Sequence, residues 1–437
     1  MTNSSLNPRL KRLQGRDNKS GKNTVLVVED SKSILNLLRA YLNQLEGIDV
    51  ISATSMAEAE ELLTIHVEQI LCAVLDLNLP DAPDGEVVDL VQGHGIPVVV
   101  LTGSLDESLR KTMVEKNIVK YLVKRNTTEL EKVTYIVGRI FENQDIKILV
   151  VDDSPSFRSY LVGLLDIYRY DTFTASHGKE ALKVLKQYSD ISLVITDYNM
   201  PEMNGLELIE AIRIDYRRED LAVIGVTDVT KPGVSVRLLQ SGANDFLSKP
   251  FELEEFYCRV TQNTNMVGFV QEIRNLATRD YLTKVYNRRH LYDVGEVLYA
   301  NAKRGNVLLA AALVDADHFK AINDTYGHSI GDQALIALAG ALKSSLRSSD
   351  IVSRYGGEEF ACLAIIKKED DAVLTFERVR KQVEDIELYS DGTRVRIAVS
   401  IGVTTKLAGS LDEMLQLADS AVYEAKNNGR NRVVRNE

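Results

Sequence analysis

The chain has 437 residues, of which 45% are apolar and 26% charged, and a formal net charge of −11. That length exceeds one ordinary core and fits about three domains of a soluble globular protein. No apolar run approaches the ~20 residues of a membrane helix, and the acidic balance argues against a nucleic-acid surface.

Residues 1–22 read as a disordered basic tail, in which Arg9, Lys11, Arg12, Arg16, Lys19 and Lys22 face only Asp17. The tail has no apolar centre and so does not read as a secretory signal. Cys72, Cys258 and Cys362 lie far apart in apolar or helical contexts. They read as buried reduced thiols of a cytoplasmic protein.

An internal repeat follows. Val25-Leu26-Val27-Val28-Glu29-Asp30-Ser31 recurs as Ile148-Leu149-Val150-Val151-Asp152-Asp153-Ser154. Ala73-Val74-Leu75-Asp76 recurs as the run ending at Asp197, Val98 to Thr102 as Val223 to Thr227, and Tyr121-Leu122-Val123-Lys124 as Phe246-Leu247-Ser248-Lys249. Each copy alternates apolar strands with amphipathic helices. Ile34, Leu37, Leu38, Tyr41, Leu42 and Leu45 mark one helical face, and Phe157, Tyr160, Leu161, Leu164 and Leu165 mark its counterpart. Buried strands alternating with helices predict a doubly wound parallel sheet in each copy, residues 23–143 and 144–264. The polar residues fall at the C-terminal strand ends, where such sheets place their sites. Three clustered carboxylates repel one another unless a divalent cation sits among them. A nearby Thr hydroxyl and Lys ammonium could hold a phosphoryl group.

From about Glu252 to Thr278 a long helix is expected, passing through Phe256, Val260, Val267, Val270, Ile273 and Leu276, with residues 265–280 as linker. A plain spacer and a dimer-forming segment both fit its imperfect apolar spacing. In the remainder, 281–437, an apolar strand from Leu308 to Val314 runs into Asp315-Ala316-Asp317-His318-Phe319-Lys320. Gly331-Asp332 is expected to open a helix that buries Leu335, Leu338, Ala339, Leu342 and Leu346. Ile351 to Ser353 and Phe360 to Ile366 flank Arg354-Tyr355-Gly356-Gly357-Glu358-Glu359. Two glycines between such runs read as a tight hairpin turn, because both accept positive φ. Adjacent Glu358 and Glu359 should then point to opposite faces and do different jobs.

These motifs, together with Asp280-Tyr281-Leu282-Thr283, Asn287-Arg288-Arg289 and the run from Ala425 to Asn431, resemble the GGDEF family of diguanylate cyclases in its Glu variant. The repeats resemble response-regulator receiver domains. The implied architecture is two flavodoxin-like doubly wound receivers followed by an α/β GGDEF domain of the nucleotidyl cyclase-like type.

The resemblance implies Asp76 and Asp197 as phosphoacceptors of a sensor histidine kinase or phosphotransfer protein. Their acid pairs are Glu29/Asp30 and Asp152/Asp153, their hydroxyls Thr102 and Thr227, their lysines Lys124 and Lys249, and their aromatic switches Tyr121 and Phe246. Two departures stand out: Arg125 replaces the usual Pro after Lys124, and Asp228 follows Thr227 where Gly103 follows Thr102. An extra carboxylate there should disfavour an incoming phosphoryl group, so Asp76 is the expected dominant acceptor.

For the C-terminal part the resemblance implies condensation of two GTP into cyclic di-GMP and two pyrophosphates across a homodimer. Asp315 and Glu359, with the Ala316 carbonyl, would hold Mg²⁺ (or Mn²⁺), and Glu358 would activate the 3′-hydroxyl while also reaching metal. Lys320, Lys426 and Arg430 would neutralise phosphate. Phe319 and His328 would line the pocket, and Asn323 and Asp332 would read guanine. Arg347-Ser348-Ser349-Asp350, with Arg378, matches a product-inhibition site. The alternative is a catalytically inactive cyclic di-GMP-binding response regulator that signals by contact. A DNA-binding output is disfavoured because no helix-turn-helix follows the receivers. A phosphodiesterase is disfavoured because no Glu-Ala-Leu domain is present.

Overall fold

The computed structural model describes residues 22–103, 116–124, 127–228 and 233–436; the basic tail before Lys22 and Arg125 lie outside them. Two compact units meet at Val270/Gln271, and the first contains both repeats.

In the first repeat, strands β1 (Thr24–Val28), β2 (Asp49–Ala53), β3 (Ile70–Leu75), β4 (Val98–Thr102) and β5 (Lys120–Val123) form a parallel sheet in the order 2-1-3-4-5. The second repeats that order with β6 (Lys147–Val151), β7 (Asp171–Ala175), β8 (Ile191–Asp197), β9 (Ala222–Asp228) and β10 (Asp245–Lys249). This is the flavodoxin-like order, with its crevice at the carboxyl ends of the strands. The central strands β1, β3, β4, β6, β8 and β9 are buried on both sides because each sheet has a separate core on each face. Two residues depart from the expected helical faces. Leu37 and Tyr160 are exposed, and Leu35 takes the buried place in the first helix.

The helix Leu253–Thr278 buries Phe256, Val260 and Val267 against the second repeat, each contributing roughly 1.5–3 kcal/mol of transfer free energy. Its first half is therefore core, whereas Ile273 and Leu276 beyond it are exposed. Cys258 lies exposed on this helix. That corrects the expectation of three buried thiols: the position faces water between Phe256 and Val260, while Cys72 and Cys362 are buried as expected.

In the second unit β11 (Tyr286–Asn287), β12 (Leu308–Ala316), β13 (Ile351–Arg354), β14 (Glu359–Ile366), β17 (Val399–Thr404) and β18 (Val433–Asn436) form a sheet in the order 11-13-14-12-17-18. The short strands β15 (Leu388–Ser390) and β16 (Thr393–Val395) pair separately. Helices 328–345 and 370–384 cover one face of the large sheet, and helices 288–303 and 411–427 cover the other. The helix expected from Gly331 starts earlier, at His328. A separate helix, Phe319–Tyr326, precedes it. The break falls at Gly327, whose φ of 84° suits glycine. No helix among the described residues is long and apolar enough to cross a membrane.

Candidate active and regulatory sites

In the first repeat, Glu29, Asp30 and Asp76 leave the ends of β1 and β3 and bring carboxylate oxygens within 4.8 Å of one another. Glu29 and Asp76 are buried and Asp30 is exposed. The Lys124 Nζ lies 2.5 Å from a Glu29 oxygen and 2.6 Å from Asp76 Oδ2. Burial pushes the Glu29 carboxyl up, against the pull of Lys124. Thr102 is buried at the end of β4, and its Oγ1 has no hydrogen-bond partner. A buried hydroxyl that makes no bond has spare capacity for a group arriving in the crevice. Tyr121 stands half-buried on the neighbouring β5.

The second repeat brings Asp152, Asp197, Thr227 and Lys249 together in the same way, but less tightly. Lys249 Nζ is 2.6 Å from Asp197 Oδ1 and 3.3 Å from Asp152 Oδ2, and it lies 3.8 Å above the Phe157 ring. Asp152 instead accepts from the Ser154 N–H at 2.8 Å, and Asp153 is exposed. Among the described residues, only the first set of acids closes to within 4.8 Å. Burial pushes Asp197 up, opposed by Lys249 and the Asn199 N–H. Thr227 Oγ1 is also buried without a partner, and half-buried Phe246 lies against Arg259. Asp228 is exposed, and its register partner is Lys249.

In the second unit, the antiparallel register of β12 and β14 sets Asp315 directly opposite Glu359. The Ala316 N–H donates to the Glu358 carbonyl at 3.2 Å. Lys426 reaches from the last turn of helix 411–427 to Asp315 Oδ2 at 2.8 Å. Burial, then the Asp315 charge, pushes Glu358 up. Burial does the same to Asp315, with Lys426 opposing. Asp315, Tyr355, Glu359, Gln416 and Asp419 line a cleft of about 220 Å³. Two oxygen-bearing acids facing each other, beside a lysine, fit a hard cation and the phosphates it accompanies.

The glycine pair works differently from the expected hairpin chemistry. Neither Gly356 nor Gly357 has a positive φ. A Cβ at Gly356 would lie 2.6 Å from Glu359 Oε2, so glycine there lets the Glu359 carboxylate fold back over the turn. The turn is instead braced by Arg354, which donates to the Gly357 carbonyl at 2.7 Å and pairs with Asp280 at 3.1 Å.

Phe319 is buried, Asn323 half-buried, and Lys320, His328, Asp332 and Arg430 are exposed. Asn323 Oδ1 would be 1.9 Å from a Cβ at Gly331, so Gly331 lets the asparagine lie on the first turn of the next helix. A further buried acid carried no expectation. Asp317 accepts from Ser400 Oγ at 2.7 Å and from the Asn431 N–H at 2.9 Å, with Arg430 Nε 4.0 Å away. It shapes the segment that follows Lys426. The only signal for it in the sequence is its place two residues after Asp315, just past the end of β12.

Away from the acids, Arg347, Asp350 and Arg378 line one cleft of about 290 Å³. Arg347 and Asp350 do not pair through their side chains. Asp350 accepts from the N–H groups of Arg347 (2.9 Å) and Ile365 (3.2 Å), which leaves the exposed Arg347 guanidinium directed by neither bond. Arg378 donates to the Ser345 carbonyl at 2.7 Å.

Parallel 2-1-3-4-5 sheets with acids, hydroxyl and lysine at their strand ends define response-regulator receivers, and the acid-bearing hairpin defines a GGDEF domain. The response regulator receiver domain model matches residues 25–134 and 148–261, and the model for the diguanylate cyclase GGDEF domain matches 277–432. The chain belongs to the response regulators, as a protein of two receivers and a GGDEF domain. It is 30% identical to the response regulator PleD of Caulobacter vibrioides over 66% of this chain and 65% of that one. It is 39% identical to the diguanylate cyclase DosC of Escherichia coli over 38% of this chain and 36% of that one. The matches thus span less than two thirds of these relatives' lengths. A crystal structure of a two-component response regulator/GGDEF domain protein is similar with a TM-score of 0.50 and 37% identity, covering 56% of this chain and all of that one.

Proposed function

We propose that the chain is a phosphorylation-regulated diguanylate cyclase that condenses two GTP into cyclic di-GMP and two pyrophosphates. The observation that carries this reading is the pairing of Asp315 with Glu359 across β12 and β14, with Lys426 held on Asp315. Each 3′-hydroxyl must attack the α-phosphorus of the other nucleotide, so two copies of the chain must face each other. Asp315, Glu359 and the Ala316 carbonyl would hold Mg²⁺ or Mn²⁺, which when bound would polarise the phosphates and offset their charge. Glu358, whose raised affinity for protons suits a base, takes the hydroxyl proton. Lys320, Lys426 and Arg430 hold phosphate oxygens. Phe319 and His328 flank the nucleotide, while Asn323 and Asp332 accept and donate at the guanine edge.

The receivers take phosphoryl groups at Asp76 and Asp197 from a kinase or phosphotransfer protein, with Asp76 dominant, and modification favours productive dimers. Cyclic di-GMP binds back in the cleft of Arg347, Asp350 and Arg378, where guanidinium groups can grip phosphate.

The test is incubation of pure protein with GTP and Mg²⁺, following cyclic di-GMP and pyrophosphate. Arg347→Ala should keep producing at product concentrations that silence the parent. Absence of product from a folded parent that still binds cyclic di-GMP would replace this reading with that of a non-catalytic binding regulator. Equal inhibition of parent and Arg347→Ala would remove the inhibitory role alone.

A further inference from the structure

A chain of side-chain hydrogen bonds leads away from the catalytic turn. Tyr355 precedes Gly356, and its N–H closes the turn on the Glu359 carbonyl at 2.8 Å. Its hydroxyl lies 2.9 Å from the Tyr292 hydroxyl and accepts from Arg288 Nη2 at 3.2 Å. The Arg288 guanidinium also stands 4.3 Å from the centre of the Tyr355 ring. Tyr292 in turn donates to Asp412 Oδ1 at 2.9 Å, and the other Asp412 oxygen accepts from Gln416 at 2.9 Å.

Only one direction of donation satisfies every member. Arg288 has no acceptor capacity, and an ionised Asp412 has no proton to give. Arg288 therefore donates to Tyr355, Tyr355 to Tyr292, and Tyr292 to Asp412. Burial and the bond to Tyr355 push the Tyr292 hydroxyl up, so it remains a donor at neutral pH. A run of donors pointing one way is mutually strengthening.

The two ends of this run matter. Asp412 lies in the first turn of helix 411–427, and Lys426 lies in the last turn of the same helix. Lys426 is bonded to Asp315, and Tyr355 holds the turn that presents Glu359. Gln416 and Tyr355 also line the cleft between Asp315 and Glu359. The helix is thus fixed at its far end to one member of the carboxylate pair, and through the tyrosines at its near end to the other.

We infer that Arg288, Tyr292, Tyr355 and Asp412 are positioning residues that set the catalytic turn against helix 411–427, and so fix the spacing of Glu359 from Asp315 and Lys426. The kinetic half of this inference rests on the diguanylate cyclase reading, whereas the geometric half does not.

The experiment uses the full chain with Tyr292→Phe, Tyr355→Phe and the double variant. Each keeps its ring and loses only a hydroxyl. Amide hydrogen exchange at Tyr355 and Gly356, whose N–H groups both donate to the Glu359 carbonyl, reads the turn directly. GTP turnover reads its consequence. Each single variant should exchange roughly three- to tenfold faster at these amides and lose roughly three- to tenfold in kcat, the scale of one hydrogen bond, with KM for GTP unchanged. The double variant should be no worse than the weaker single, because the hydroxyls act in one chain. Parental exchange and kcat in both singles would overturn the inference. So would losses that multiply in the double variant, or exchange that rises equally throughout residues 271–437. A parent that forms no cyclic di-GMP would defeat the functional reading, while the exchange measurement would still decide the positioning role.

Discussion

The two receivers carry the same ingredients at the same strand ends, yet their sites differ. In the first, Lys124 bridges Glu29 and Asp76 at 2.5 and 2.6 Å, and three acids crowd within 4.8 Å. In the second, Lys249 lies closer to Asp197, at 2.6 Å, than to Asp152, at 3.3 Å, and rests over the Phe157 ring. Gly103 leaves the first crevice without a side chain beside Thr102, whereas Asp228 adds an exposed carboxylate beside Thr227. Duplication preserved the reacting groups. What diverged is how crowded and how charged their surroundings are, and those differences should govern cation affinity and phosphoryl acceptance.

The largest expected effect separates both receivers from the output. Glu359→Gln removes a charge at nearly constant shape and should cut cyclic di-GMP formation by ~10²–10³. Phosphate incorporation at either receiver should stay at the parental level. A loss of incorporation would mean that the variant damages more than the Asp315–Glu359 site.

A smaller effect probes the second crevice alone. Asp228→Gly, read as the rate of phosphate incorporation at Asp197 in an Asp76→Asn background, should be roughly threefold faster, the scale of one exposed charge near the site. An unchanged rate would remove charge as the source of the asymmetry.

The smallest effect is on stability. Glu29, Asp197, Asp315 and Glu358 all hold protons more tightly in the folded chain, chiefly through burial. The native state then binds more protons than the unfolded one, so these groups make stability fall as pH rises. The fall starts from the ordinary carboxylate range near ~4 and ends above the folded values. The urea midpoint of Glu358→Gln minus that of the parent should therefore grow across this window and then level off. A difference that shrinks with rising pH would reverse the assigned direction.

Much of this was legible in the sequence, for identifiable reasons. Buried parallel strands must be apolar on both sides, so the Val25–Val28 and Ile148–Val151 runs exposed the repeat. Asp315 near the end of β12 and Glu359 at the start of β14 both stood out as acids at strand ends, and the antiparallel pairing of these two strands sets them opposite each other. Other features depend on contacts that no local pattern encodes. Gly356 has no left-handed φ, and its missing side chain instead leaves room for the Glu359 carboxylate. The burial of Asp317 is set by Ser400 and Asn431, far along the chain. Leu37 and Tyr160 satisfy a helical period yet face solvent. The tyrosine pair at 292 and 355 joins a helix to a turn 63 residues away.

The claim that first-receiver phosphorylation drives GTP condensation is tested most directly by one measurement. Cyclic di-GMP formation should be followed with and without a small-molecule phosphoryl donor in the parent, Asp76→Asn and Asp197→Asn. The donor should raise the rate in the parent and in Asp197→Asn, and leave Asp76→Asn at its unstimulated rate. Stimulation kept in Asp76→Asn but lost in Asp197→Asn, or no cyclic di-GMP from the folded parent, would contradict the account.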